Sequence, residues 1–323
     1  MFRAMQGSYR RLTGFSTAML AIVMLLSGCS RQDFYEAAIA HERNAAGLVE
    51  ATVDVDGRTI AYLHNQTPRD GDTLVLLHGF AANKENWLRM AGYLTESYNV
   101  YAIDLPGHGE SNRDLERDYS IDAQVGYVRA ILDALVLERV HMVGNSMGGA
   151  ITALYAATYP DRIITATLLD PAGIFEYDSE LVSRVLDGDN PLIVSKPGDF
   201  ERLVDFALEQ KPFVPWPMYS VMEEEALSRK AINEHIFLQI RDSGYQPAFR
   251  NALASITAPV LVIWGKEDRV INYRNADVFA ERIPRARKVL LENVGHAPMI
   301  EVPAKTASLV VDWIESSPPT SNP

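Results

Sequence analysis

Apolar and polar residues along the chain follow two different periods, and the places where one gives way to the other outline a fold. Residues 49–55 and 59–64 alternate on either side of Asp56-Gly57, which predicts a hairpin closed by a tight turn. Residues 74–77 are an unbroken apolar run ending in His78-Gly79-Phe80, as expected of a strand buried on both faces. Beyond it the periods interchange: helix over 84–97, strand over 100–103, helix over 121–136, strand over 140–143, helix over 150–158 and strand over 163–169. The same alternation resumes with a strand over 260–264, a helix over 276–283, a strand over 288–291 and a helix over 304–314. Repeated βα units predict an α/β fold: a mainly parallel twisted sheet with helices on both faces, the hairpin adding an antiparallel edge. The rhythm breaks over 172–255. A structureless insertion of that length would be unusual, so this segment is expected to be a helical cap inserted after the sixth strand, with helices over 199–209 and 223–240.

The two ends fall outside this pattern. Arg3, Arg10 and Arg11 precede an uncharged run of 15 residues, 12–26, and then Leu26-Ser27-Gly28-Cys29. That run is short for a hydrocarbon core of roughly 30 Å, which favours a signal segment over a stable span. Leu-Ser-Gly-Cys resembles the lipobox of bacterial lipoproteins, which implies cleavage before Cys29 and its acylation; an uncleaved N-terminal anchor and a plain secretory signal are the alternatives. Cys29 is the only cysteine, so no intramolecular disulfide can form. Ser30 as the second mature residue favours an outer-membrane lipoprotein over an inner-membrane one within a bacterial cell envelope. The organisation expected is a signal segment at 1–28, a helical spacer at 29–47, a core at 48–171 and 256–315, the cap at 172–255 and a disordered tail at 316–323. Nothing in the spacer's pattern decides whether it lies along a membrane or along the body.

Charge narrows the classes of partner. The chain of 323 residues has a formal charge of −12, and loss of residues 1–28 removes three arginines and no acid, leaving −15. An acidic body excludes nucleic acid and electrostatic adhesion to anionic lipid as leading readings. No phosphate-binding glycine motif and no zinc-type spacing of histidines occurs, so neither a nucleotide site nor a metal is expected.

The chemistry centres on Gly144-Asn145-Ser146-Met147-Gly148-Gly149, a glycine-flanked serine between a strand and a helix. That context makes a nucleophile elbow, in which only small residues fit two positions before and after the serine. A serine needs a base and the base needs an orienting acid, in chain order Ser, acid, His. Asp268 follows the strand at 260–264 and His296 follows the strand at 288–291, both at strand carboxyl ends, where open α/β sheets place their ligands. Glu267 is the alternative acid. Backbone N–H groups of Met147 and Phe80 are the expected oxyanion donors. His78, His108 and His235 are read as loop braces or structural residues. In the cap, Phe213, Val214, Trp216 and Met218 are candidates for an acyl pocket or a lipid-facing rim, with ordinary lid packing as the competing reading.

These residues give the chain a resemblance to the α/β-hydrolase superfamily over 48–315. His78-Gly79-Phe80 with Asn83-Lys84, the Gly144–Ile151 string, Asp170-Pro171-Ala172-Gly173 and Asn293-Val294-Gly295-His296 resemble bacterial family V lipases. That group includes lipoprotein-anchored esterases and a membrane-anchored phospholipase A. The resemblance implies hydrolysis of acyl esters or lipids through an acyl-serine, with no cofactor. Meta-cleavage C–C bond hydrolases share Gly-Asn-Ser-Met-Gly-Gly but carry a Gly-Pro-Gly oxyanion loop where this chain has Phe80-Ala81-Ala82-Asn83. Epoxide hydrolases and haloalkane dehalogenases use aspartate at the Ser146 position. A catalytically dead binding module would require a broken Ser–Asp–His set, and all three residues are present.

Overall fold

The structure, a computed structural model, describes residues 30–244 and 247–317. The proposed signal segment, Cys29 and all but the first two residues of the tail lie outside those residues. Among the described residues an eight-stranded sheet runs β1(Leu48–Val55), β2(Arg58–Asn65), β3(Thr73–Leu77), β4(Asn99–Ile103), β5(Val140–Asn145), β6(Ile163–Leu169), β7(Val260–Gly265) and β8(Ala286–Leu291). Their spatial order is β1-β2-β4-β3-β5-β6-β7-β8. The β1–β2 and β2–β4 pairs are antiparallel and every other pair is parallel. The expected twisted α/β sheet with an antiparallel edge is therefore what forms.

Burial explains the order. Every residue of β5 and β7 is buried, as are Leu74 to Leu77 of β3, because helices cover both faces of the sheet centre. β1, at the edge, instead alternates between half-buried and exposed positions after the buried Leu48. Each fully buried Leu or Val contributes roughly 1.5–3 kcal/mol, so the central strands are strongly stabilised. The strand carboxyl ends, where β3, β5, β6, β7 and β8 run into loops, are thereby set in a rigid frame.

Helices α1(Arg31–Ala45), α2(Leu88–Ala91), α3(Ile121–Ala134), α4(Met147–Thr158), α10(Asn275–Arg282), α11(Pro298–Glu301) and α12(Pro303–Ser316) accompany the sheet. The expected helix over 84–97 is instead a 3₁₀ turn, Lys84–Trp87, followed by the single turn of α2, which stops at Gly92. Lys84 accounts for the tighter geometry. Its ammonium is buried among Asp104 and Glu110, each at 3.0 Å, and Glu50 at 2.8 Å, and its backbone N–H donates to Asp104 Oδ1. Burial works against the ammonium, but those carboxylates keep it protonated.

Five helices lie between β6 and β7: α5(Glu180–Leu186), α6(Asp199–Ala207), α7(Trp216–Ser228), α8(Lys230–Gly244) and α9(Pro247–Ala252). The single helix expected over 223–240 is two, broken at Arg229, and the first begins at Trp216 rather than at the acidic run. Pro215 at the cap and Pro217 in the first turn explain that start, since a proline there loses no needed N–H. The spacer is the capped helix α1, and it lies along the body. Phe34 is buried, Arg31 bonds Ser220 and Glu224 of α7, and Arg43 bonds Glu50 and Glu85. No described helix is long and apolar enough to cross a membrane.

Candidate active site

Ser146 stands between β5 and α4 with φ 53° and ψ −115°, a conformation that L residues avoid. Three backbone hydrogen bonds hold it there: its N–H donates to Leu169 O at 2.9 Å, and its carbonyl accepts from Ala150 and Ala172, each at 3.0 Å. The flanking glycines are obligatory. A Cβ on Gly144 would stand 2.1 Å from the Gly148 carbonyl oxygen, and one on Gly148 would stand 2.1 Å from Leu77 O. The strained turn is thus wedged against the end of β3.

Asp268, in the loop after β7, accepts hydrogen bonds on both carboxylate oxygens. Its Oδ1 accepts from the N–H groups of Val270 at 2.8 Å and Ile271 at 3.0 Å, and its Oδ2 from Trp264 Nε1 at 3.1 Å. The same Oδ2 lies 2.8 Å from His296 Nδ1. That contact sets the imidazole tautomer with hydrogen on Nδ1 and leaves Nε2 as the basic nitrogen. Asn145 Nδ2 donates to His296 O at 2.9 Å, so the residue before the serine is tied to the main chain of the histidine. Glu267, the alternative acid, donates its N–H to Val294 O, while it is Asp268 whose carboxylate meets the imidazole. Asp170, Asp268 and His296 offer ligand atoms within 4.8 Å of one another, the one cluster among the described residues able to seat a metal. A metal there would have to displace the Asp268–His296 hydrogen bond.

A cavity of about 490 Å³ opens beside the serine, with Phe80, Ser146 and Met147 on its wall. Met147 is the first residue of α4, where N–H groups have no intrahelical partner and the helix dipole favours negative charge. The Phe80 ring packs on Phe237 of α8 and edge-on to His108. Most of the remaining wall is apolar and comes from the cap: Leu181, Val182, Val185 and Leu186 of α5, with Phe237 and Ile240 of α8. Arg241 is the one charged side chain on the wall.

Phe213, Val214 and Met218 are not part of this wall. Pro212 and Pro215 keep their segment irregular, and Phe213 is 83% exposed. Trp216 heads α7. The lining supplied by α5 was open to sequence reasoning: Ser179 is a helix N-cap, and apolar residues recur at 181, 182, 185 and 186 on one face.

Burial holds His78 and His108 neutral. His78 Nε2 accepts from Leu105 N–H at 3.0 Å, so its Nδ1 donates to Gly79 O at 2.7 Å, and burial pushes its pKa down to about 4. His108 is likewise buried and pushed down to about 3. His235 bonds the Arg117 carbonyl and packs edge-on to Tyr119.

Residues 72–303 match the alpha/beta hydrolase fold family. The chain is 34% identical to Lipase 3 of Moraxella sp. (strain TA144) over 276 residues, 84% of this chain and 86% of that one. It is 30% identical to the human monoacylglycerol lipase ABHD6 over 290 residues, 87% of this chain and 86% of the other. Among solved structures, a bacterial membrane phospholipase A described as a virulence factor superposes with a TM-score of 0.86 at 37% identity, covering 95% of this chain and 99% of that one.

Proposed function

Because the chain belongs to the alpha/beta hydrolase fold family, we propose that it hydrolyses carboxylic esters with medium-length acyl chains, lipids among them, through an acyl-Ser146 intermediate. The observation that carries this reading is a serine in a strained elbow on the wall of an apolar cavity, tied through Asn145 to a histidine already bound to Asp268. Relatives named as lipases and a phospholipase neighbour support the ester-hydrolase class.

In this mechanism His296 Nε2 takes the Ser146 hydroxyl proton as Oγ bonds to the acyl carbon. The carbonyl oxygen becomes an oxyanion met by the N–H groups of Phe80 and Met147, each worth on the order of 10²–10³ in rate. His296 then returns the proton to the leaving alcohol oxygen, and water repeats the sequence to release the acid. Asp268 keeps its charge and orients the imidazole. The test is turnover of p-nitrophenyl butyrate and octanoate, with triglyceride and phospholipid panels beside them. Loss of at least about 10³-fold in Ser146→Ala is expected, and retention of most activity refutes the assignment.

Attachment to the cell envelope through acylated Cys29 belongs to the same reading, supported by the Leu-Ser-Gly-Cys string. Because α1 begins at Arg31 and lies on the body, a lipid at residue 29 would hold the enzyme directly at a membrane. The exposed Phe213 fits a lipid-facing rim there. Mass spectrometry of the purified N-terminus should find a diacylglyceryl cysteine; an unprocessed Met1 would exclude it.

A further inference from the structure

Behind the Asp268–His296 pair stands a second carboxyl that the mechanism above leaves without a task. Asp170 follows β6 with φ 45°, is wholly buried, and has its N–H on Ile263 O at 3.0 Å. Its Oδ1 accepts from Gly265 N–H at 2.9 Å. Its Oδ2 is equally buried and meets no donor. One oxygen of Asp170 lies within 4.8 Å of an Asp268 oxygen and of a His296 ring nitrogen.

Two buried carboxyls this close cannot both be charged, and the count of donors decides which one is. Asp268 accepts four hydrogen bonds, one of them from the imidazole. Asp170 accepts one. The remaining acid facing Asp170 is Glu301, whose carboxylate is taken up by the N–H groups of Glu209, Gln210, Gly295 and Ala297. A proton on Asp170 Oδ2 turns that unmet acceptor into a donor with Asp268 as its neighbour, which removes the one unsatisfied atom of the cluster.

We propose that Asp170 is a positioning residue, a protonated carboxyl that braces Asp268 and leaves it as the single charge behind His296. Burial first, then the charge of Asp268, raises the Asp170 pKa well above the usual carboxylate range, in agreement with the donor count. The consequence for the reaction rests on the serine-hydrolase reading. One carboxylate stabilises the imidazolium formed as Ser146 loses its proton. A second carboxylate there would favour a proton on the imidazole before the reaction begins, which opposes its action as a base. Neutral Asp170 therefore adds no second charge beside the imidazole while holding its partner in place.

Two measurements on the mature chain test this. With p-nitrophenyl butyrate, Asp170→Ala should lower kcat by about tenfold or more with KM within about twofold, because Asp268 loses a donor to a charged group. Asp170→Asn keeps an N–H donor in the same place and should recover to within about threefold of the parent, its acid limb of kcat/KM moving by less than about 0.3 pH unit. If Asp170 is ionised in the enzyme, Asp170→Asn removes a charge beside the imidazole and the acid limb falls by more than about one pH unit, which overturns the proposal. An unchanged kcat in Asp170→Ala overturns it equally. The second measurement needs no turnover. A carboxyl that is neutral when folded and charged when unfolded costs stability as pH rises, so the Tm of Asp170→Asn minus that of the parent should grow from about pH 4 to pH 8. A difference that stays flat refutes the protonated state. A parent enzyme without ester turnover would sink the functional assignment while leaving this melting test intact.

Discussion

The cavity beside Ser146 makes the acyl chain a quantitative probe. Its volume of about 490 Å³ falls within the range of ordinary ligand pockets, and its wall is apolar except at Ser146 and Arg241. Each methylene moved from water into such a wall contributes about 0.8 kcal/mol, close to a factor of four in kcat/KM. From butyryl to octanoyl ester, four methylenes enter, so the rise is up to about 3 kcal/mol, on the order of 10². Ala172 is the place to block it. Its N–H bonds the Ser146 carbonyl at 3.0 Å and its side chain lies on the cavity wall, so Ala172→Phe puts a ring next to Ser146. The assay is kcat/KM for p-nitrophenyl acetate, butyrate, hexanoate and octanoate below their critical micelle concentrations. The parent should climb with chain length and then level off, and Ala172→Phe should level off by butyrate, with acetate turnover reduced least. A parent profile flat to within about threefold from butyrate to octanoate would show that the acyl chain does not enter this cavity.

How much could be read without the structure depended on how local each feature is. β6 was legible to the residue at 163–169, because a strand buried on both faces is a continuous apolar run, here closed by Asp170-Pro171. The hairpin at Asp56-Gly57 and the order serine, acid, histidine were equally plain, since each is written in a short string of residues. The cap was legible as an interruption containing a helix that opens at Asp199. Its helices are half-covered, so their patterns are weak, and the break at Arg229 depends on which neighbours they pack against. The segment at 84–97 failed for another reason, since a lysine with good helical propensity was drawn into a buried carboxylate cluster instead. Asp170 was the least legible residue. Its string was visible, but its protonation depends on Gly265, 95 residues along the chain, and on Asp268 and His296 beyond it. Such a role belongs to the meeting of three strand ends and to no window of sequence.

Two further outcomes follow from the frame around the site. Gly148→Ala sets a Cβ 2.1 Å from Leu77 O and 2.6 Å from His78 O, both main-chain atoms that cannot turn aside. A loss of about 2 kcal/mol or more is expected, seen as a Tm lower by about 4 °C or more; an unchanged Tm would mean the elbow is not wedged against β3 as described. Acid should destabilise the fold through His78 and His108. Their folded pKa values, about 4 and about 3, lie below the ordinary 6.5, so the unfolded chain binds more protons than the folded one in that interval. Stability is then lost as pH falls from 6.5 towards 4 and below, by several kcal/mol in all, since each histidine contributes roughly 1.4 kcal/mol for every pH unit between its folded and unfolded pKa. Asp170 acts in the opposite sense, because its raised pKa favours the folded state as pH falls. Denaturant melts at pH 7.5, 6 and 5 should show the net loss, and it should be steeper in Asp170→Asn, where the opposing carboxyl is gone. Equal stability at all three pH values in the parent, with no steepening in the variant, would mean that neither the buried histidines nor Asp170 carry the protonation states assigned to them.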